Sequence, residues 1–189
     1  MKVFIINNLE FAYNLIDQFK KLDCDVISYR NDVDIKIIQT VISKFKPNLI
    51  VISSGPEKDT GNSVDVILNY CGKIPIFGVG SGQLSIIKAF EGRINKGLAM
   101  HGKLIKIKHD GKTIFKKLSE PFIAGAYNSL CGSDIPLDFE VSARSGNDVV
   151  MGIRHKEYFV EGIQFDPSSI LTVEGSLIIE NLLKEIGKK

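Results

Sequence analysis

The chain has 189 residues, about one domain at roughly 150 residues each, and its 44% hydrophobic and 24% charged content is that of a folded globule rather than a disordered chain. Its 24 basic and 22 acidic residues leave a formal charge of +2, with the basic ones scattered singly or in pairs, which argues against nucleic acid or an anionic membrane as partner. No apolar run approaches the roughly 18 residues of a membrane span, so a membrane is not expected either. The run Val3-Phe4-Ile5-Ile6 enters a strand with no cleavable signal pattern, and a cytoplasmic protein is expected. Cys24, Cys71 and Cys131 are too few and too dispersed for a disulfide framework or a zinc site, which predicts reduced structural thiols and no metal.

The first ninety residues alternate in type. Val3–Asn7 is a predicted strand, Phe11–Leu22 a helix with apolar positions 11, 15, 16, 19 and 22, and Asp25–Tyr29 the next strand. Asp32 is the expected cap of a helix reaching Lys44, Pro47 stops it, and Leu49–Ser53 is an apolar strand closed by Ser54-Gly55-Pro56. Asn62 is the expected cap of a helix Ser63–Tyr70, followed by a strand Ile74–Val79 and a helix Gln83–Phe90. Strands apolar on both faces, alternating with helices, imply a parallel sheet covered on both sides.

From Gly102 the strands become shorter and more polar. Lys103–Lys108 leads to a turn at Asp110-Gly111, and Phe122–Ala126, Glu140–Ser145, Val149–Arg154 and Glu161–Phe165 read as antiparallel or mixed strands. A last helix covers Thr172–Ile186. No linker or repeat divides the chain, so residues 1–189 are read as one α/β domain.

Ligands of open parallel sheets bind beyond the carboxyl ends of the strands, here after Ser53 and after Val79. Phe77-Gly78-Val79-Gly80-Ser81-Gly82 runs from an apolar strand into a helix with the glycine spacing of a nucleophile elbow. Such a turn holds its central residue at positive φ and aims it over a helix N-terminus. That central residue is Gly80, which has no side chain. Ser81 lies one position late and reads as a cap of backbone N–H groups, with a nucleophile as the alternative; the same glycines could cradle a phosphate.

The motif order resembles the class I glutamine amidotransferases along nearly the whole chain, most closely the small subunit (component II) of anthranilate synthase and its para-aminobenzoate synthase counterpart. Phe11-Ala12-Tyr13-Asn14-Leu15 is similar to that family's Phe-Thr-Tyr-Asn-Leu, and Arg30-Asn31-Asp32 to its Arg-Asn-Asp. Ile52-Ser53-Ser54-Gly55-Pro56 resembles Ile-Ser-Pro-Gly-Pro, whose backbone helps form the family's oxyanion hole. Met100-His101-Gly102-Lys103 and Gly152-Ile153-Arg154-His155 equal family tetrapeptides, and Glu161-Gly162-Ile163-Gln164-Phe165-Asp166-Pro167 is similar to Glu-Gly-Val-Gln-Phe-His-Pro.

The departures fall on the catalytic positions that the resemblance implies. The family's Gly-Val-Cys-Leu-Gly-His-Gln is matched with Gly80 for the cysteine, Gln83 for the histidine and Leu84 for the substrate-binding glutamine. Its His-Pro-Glu is matched by Asp166-Pro167-Ser168, and its Tyr-His-Ser-Leu by Tyr127-Asn128-Ser129-Leu130. The degenerate triad is therefore Gly80, Asp166 and Ser168. The degenerate glutamine pocket is Ser54, Gly55, Pro56, Ser81, Leu84, Asn128, Ser129 and Leu130. Asp166 reads as a solvated or helix-capping carboxylate, and His101, His109 and His155 as structural or partner-facing.

These matches imply a three-layer flavodoxin-like fold, its central mostly parallel sheet extended by mixed strands. They imply a homologue of the synthase amidotransferase subunit, in tryptophan or folate synthesis, that no longer hydrolyses glutamine and needs no cofactor. Two roles follow: docking on or regulating a chorismate-using synthase large subunit, which the retained Tyr13, Asn14, Met100, His101, Gly102 and Lys103 favour, or binding an unidentified small molecule in the emptied pocket.

Overall fold

The computed structural model describes residues 1–8, 12–55, 60–146 and 148–188, with only the backbone described at Leu98. The first half runs β1 (Lys2–Asn7), α1 (Ala12–Lys21), β2 (Asp25–Arg30), α2 (Ile35–Phe45), β3 (Leu49–Ile52), α3 (Ser63–Tyr70), β4 (Ile76–Val79) and α4 (Ser81–Ala89). The second runs β5 (Arg93–His109), a 3-10 turn at Thr113–Phe115, β6 (Phe122–Asp134), β7 (Phe139–Ser145), β8 (Val150–His155), β9 (Val160–Ile163) and α5 (Gly175–Ile186).

All described strands join one sheet in the order β2-β1-β3-β4-β9-β8-β7-β5-β6. The first five are mutually parallel, and the remaining pairings are antiparallel. The period-2 geometry of β1 sends Val3 and Ile5 to one core and Phe4 and Ile6 to the other. Leu15 and Phe19 of α1 with Ile178 and Leu182 of α5 cover the first face; α2, α3 and α4 cover the second through Ile38, Ile42, Val66, Ile67 and Ile86. All of these are essentially fully buried, at about 1.5–3 kcal/mol for each large apolar side chain. This is the expected three-layer α/β architecture with a mixed-strand extension.

Several local expectations require correction. Asp34, not Asp32, caps α2 by accepting the Lys36 N–H at 2.8 Å, because Asp32 pairs instead with Arg30. Asn62 precedes α3 without a side-chain cap bond; its amide donates to the Val33 carbonyl. α4 begins at Ser81 rather than Gln83. After Asp110-Gly111 the chain passes through the 3-10 turn before β6 returns along β5. Both strands outrun their expected lengths, because residues 93–102 and 127–134 pair in a bulged antiparallel ribbon whose polar, glycine-containing sequence lacks clean alternation. Thr172 stays outside α5; its hydroxyl donates to the Asp166 carbonyl at 2.7 Å and accepts the Gly125 N–H at 3.1 Å.

Candidate functional site

β4 ends at Val79, and the chain enters α4 through Gly80 at φ 59 and ψ −117. The expected elbow is present, in a conformation that glycine adopts without the clash a Cβ brings. The Gly80 N–H donates to the Ile163 carbonyl of β9 at 2.8 Å, and its carbonyl accepts the Gln83 N–H at 3.0 Å. Since the first of these engages a donor that a phosphate cradle needs, the turn is braced against the sheet rather than opened toward an anion.

The segment after β3 lies over this turn. A Cβ on Gly80 would come to 2.4 Å from the Ser54 hydroxyl oxygen and 2.9 Å from its Cβ, so the Ser54 side chain fills the space a side chain at position 80 needs. Ser81 Oγ accepts the Gly55 N–H at 2.8 Å. The cap expectation for Ser81 is thus corrected: its hydroxyl serves the neighbouring loop, while its own carbonyl accepts the Ser85 hydroxyl at 3.0 Å.

Asn8, which the sequence reading did not single out, holds the same loop. Almost fully buried, its amide donates to the Ser53 carbonyl at 2.8 Å and its side-chain oxygen accepts the Ser63 hydroxyl at 3.0 Å. Position 55 must be glycine for a different reason from position 80: a Cβ there would fall 1.8 Å from the Asn8 carbonyl oxygen. The only signal available in sequence was a polar residue directly after an apolar strand.

Asp166 and Ser168 pair with each other. Asp166 Oδ1 accepts both the Ser168 N–H at 2.8 Å and the Ser168 hydroxyl at 2.7 Å, capping the turn after β9. The carboxylate is buried rather than solvated, which corrects that part of its expected role, and burial raises its pKa against the two Ser168 bonds. Beside it the Tyr127 hydroxyl lies 3.0 Å from that of Ser169.

The remaining predicted pocket residues go elsewhere. Leu84 is buried in the second core, and Leu130 packs against the same cluster. Asn128 is buried on β6 beside a cavity of about 190 Å³ lined also by Met100, Ile105 and Val149, with its amide 3.3 Å from the Leu130 carbonyl; Ser129 is half-buried on the same strand. Gln83 is wholly buried, its amide donating to the Gln164 side chain at 3.3 Å. Pro56 lies outside the described residues, as does Phe11. Ser54, Gly55, Gly80 and Ser81 therefore form one contact set, while Asp166 with Ser168 and Asn128 stand in separate surroundings.

His155 is buried, its Nδ1 accepting the Glu157 and Tyr158 N–H groups, and burial lowers its pKa. His109 stacks on Phe115 and its Nδ1 accepts the Gly111 N–H, whereas His101 is exposed on β5. Arg154 is the hub of a charge cluster: its guanidinium bonds Asp110 and Glu140 at 2.7 Å each, and Thr113 at 2.9 Å. Thr113 donates in turn to the deeply buried Glu161 at 2.8 Å. With three carboxylates around one guanidinium, the most buried holds its proton best, and the Glu161 carboxyl is pushed up to about 7. The motifs around Arg154 and Glu161 thus tie β7, β8 and β9 to the segment after β5. Burial also raises the thiols of Cys24 and Cys71.

A glycine elbow between β4 and α4, faced by a glycine loop after β3 at the carboxyl edge of a parallel sheet, defines a class of protein. The chain belongs to the class I glutamine amidotransferase family, whose profile matches residues 4–186. Among its relatives, anthranilate synthase component 2 of Haemophilus influenzae is 36% identical, covering 96% of this chain and 95% of that protein. Aminodeoxychorismate synthase component 2 of Escherichia coli is 37% identical, covering 96% and 98%. The chain spans about half (51%) of the multifunctional tryptophan biosynthesis protein of Pichia angusta, at 41% identity. A glutamine amidotransferase structure from Thermotoga maritima shares the fold, with a TM-score of 0.75 at 11% identity, covering 100% of this chain and 99% of that one. No described helix is long and apolar enough to cross a membrane.

Proposed function

We propose that this chain is a synthase component-2 homologue, one domain over residues 1–189, that no longer hydrolyses glutamine and acts by docking on or regulating a chorismate-using synthase subunit. The observation that carries the reading is at the elbow: position 80 has no side chain, and the Ser54 side chain fills the space where one would stand. Thioester chemistry needs a thiolate, an imidazole and a carboxylate that orients it, and losing one member of such a unit costs roughly 10⁴- to 10⁶-fold in rate. Asp166 is no substitute base, since Gly80 offers no side chain from which it could take a proton. Retention of the loop, the elbow and the Arg154 cluster around these changes supports a role that needs the scaffold.

The test is glutamate release from glutamine by the purified protein, alone and with an anthranilate or aminodeoxychorismate synthase component 1. No release and a stable complex with component 1 are expected; turnover near 1 s⁻¹, an ordinary enzyme rate, would overturn the loss of activity. A second reading, small-molecule binding, draws support from the polar pocket at Asp166.

A further inference from the structure

Asp166 is nine-tenths buried, at 8% exposed, and one oxygen of its carboxylate takes both Ser168 bonds. The second oxygen has no hydrogen-bond partner among the described residues and is not sealed in the interior. The residue lines a polar pocket of about 340 Å³ between α1, β6 and the turn after β9. Two other charged side chains line it, Asp17 and Lys21, and they pair with each other at 2.7 Å, so Lys21 already has its counter-ion. The Tyr127 and Ser169 hydroxyls, 3.0 Å apart, form another part of the wall. The pocket holds one buried carboxylate without a positive partner among the described residues, next to hydroxyls able to accept or donate.

We propose that this pocket binds a small organic cation, a primary ammonium compound with a hydroxyl-bearing arm, whose ammonium sits on the free Asp166 oxygen and whose arm meets Tyr127 and Ser169. A buried carboxylate with no counter-charge is costly, and a cation entering the pocket relieves that cost while making charge-assisted hydrogen bonds. The raised pKa of Asp166 reports the same unrelieved burial. The charged or titratable groups lining the pocket are Asp17 and Lys21 from α1, Tyr127 from β6 and Asp166 itself, and Asp166→Asn isolates the share of the pH dependence of binding that belongs to Asp166. The proposal does not rest on the loss of glutaminase activity, and the assay for that loss is blind to it.

The probe is ethanolamine, which is protonated near neutral pH, titrated at constant ionic strength and followed by thermal denaturation and by backbone amide shifts. A saturable rise in melting temperature is expected, with affinity increasing with pH through the carboxylate range. Asp166→Asn should weaken binding by about tenfold or more, the scale of a lost charge-assisted bond, while Asp134→Asn, a surface carboxylate on β6, should leave it unchanged. If Asp166→Asn does not fold, the pH dependence of the unaltered protein and Tyr127→Phe, which removes the hydroxyl alone, decide the matter. The proposal is overturned by an absence of saturable binding, by an equal response to ethylene glycol or potassium chloride, by affinity that is flat with pH, or by undiminished binding in Asp166→Asn.

Discussion

Ser81 accepts the backbone N–H of Gly55 at 2.8 Å, joining the first residue of α4 to the loop after β3 across 26 positions of sequence. The family resemblance implies that this loop's backbone helps form an oxyanion hole, and the Gly55 N–H, one of the loop's backbone donors, is engaged here by the protein's own hydroxyl.

Removing that hydroxyl should release the donor. Ser81→Ala leaves the Gly55 N–H unsatisfied and should cost about 1–3 kcal/mol, the usual penalty for a buried orphan polar group. Hydrogen exchange at the Gly55 amide should accelerate together with that loss. An unchanged exchange rate would mean that the Ser81 bond does not hold the loop.

Position 80 should resist a side chain. Gly80→Cys places a Cβ at positive φ and against Ser54, and should lower stability by on the order of 1–3 kcal/mol in urea denaturation. Adding Ser54→Gly should recover part of that loss, because it removes the contacting atoms. If the single variant is as stable as the parent, Ser54 yields freely and the packing argument fails.

Rebuilding the triad should not suffice. Gly80→Cys, Asp166→His, Ser168→Glu and Leu84→Gln together put back the residue types that the family resemblance implies, yet the Gly55 N–H stays engaged by Ser81. Adding Ser81→Leu should raise kcat for glutamine hydrolysis by about 10²- to 10³-fold over the four-residue variant, the scale of one oxyanion donor. In the docking role, adding the cognate synthase subunit should raise the restored rate further. Equal rates with and without the Ser81 change would show that this donor does not matter.

Stability should depend on pH through Glu161. Its carboxyl is raised to about 7 from an ordinary 4.5, so the folded state holds a proton that the unfolded chain releases. The resulting stability is fully present below about 4.5 and is lost as pH rises through about 7. Glu161→Gln cannot titrate, so the stability difference between parent and variant should shift against the parent from pH 5 to pH 8. Parallel stability curves would refute the assignment.

The elements that carry their own signal were legible. Apolar strands β1, β3 and β4 declare themselves as uninterrupted runs, and the elbow follows from glycines spaced between a strand and a helix. What escaped was set by contacts distant in sequence. Asp32 and Asp34 both suit a helix cap, and the Arg30 side chain decides between them. Ser81 was a reasonable cap until the loop carrying Gly55 came within reach of its hydroxyl. The candidate pocket divided for the same reason: Leu84 and Leu130 obey their apolarity and join the core, while Asn128 follows β6 to a different cavity.

The close approach of Ser54 to Gly80 also bears on history. In a lineage of the kind proposed above, with glycine in place of the nucleophile, a cysteine reappearing at 80 would meet the Ser54 side chain, which makes the first step of any return unfavourable. The serine side chain has to shift or be replaced for the cysteine to fit, and while the nucleophile is missing no gain in catalysis rewards that change. The packing at one turn would then act as a ratchet, since a Cβ at position 80 would lie 2.4 Å from the Ser54 hydroxyl oxygen and that clash sets the order in which substitutions can be undone.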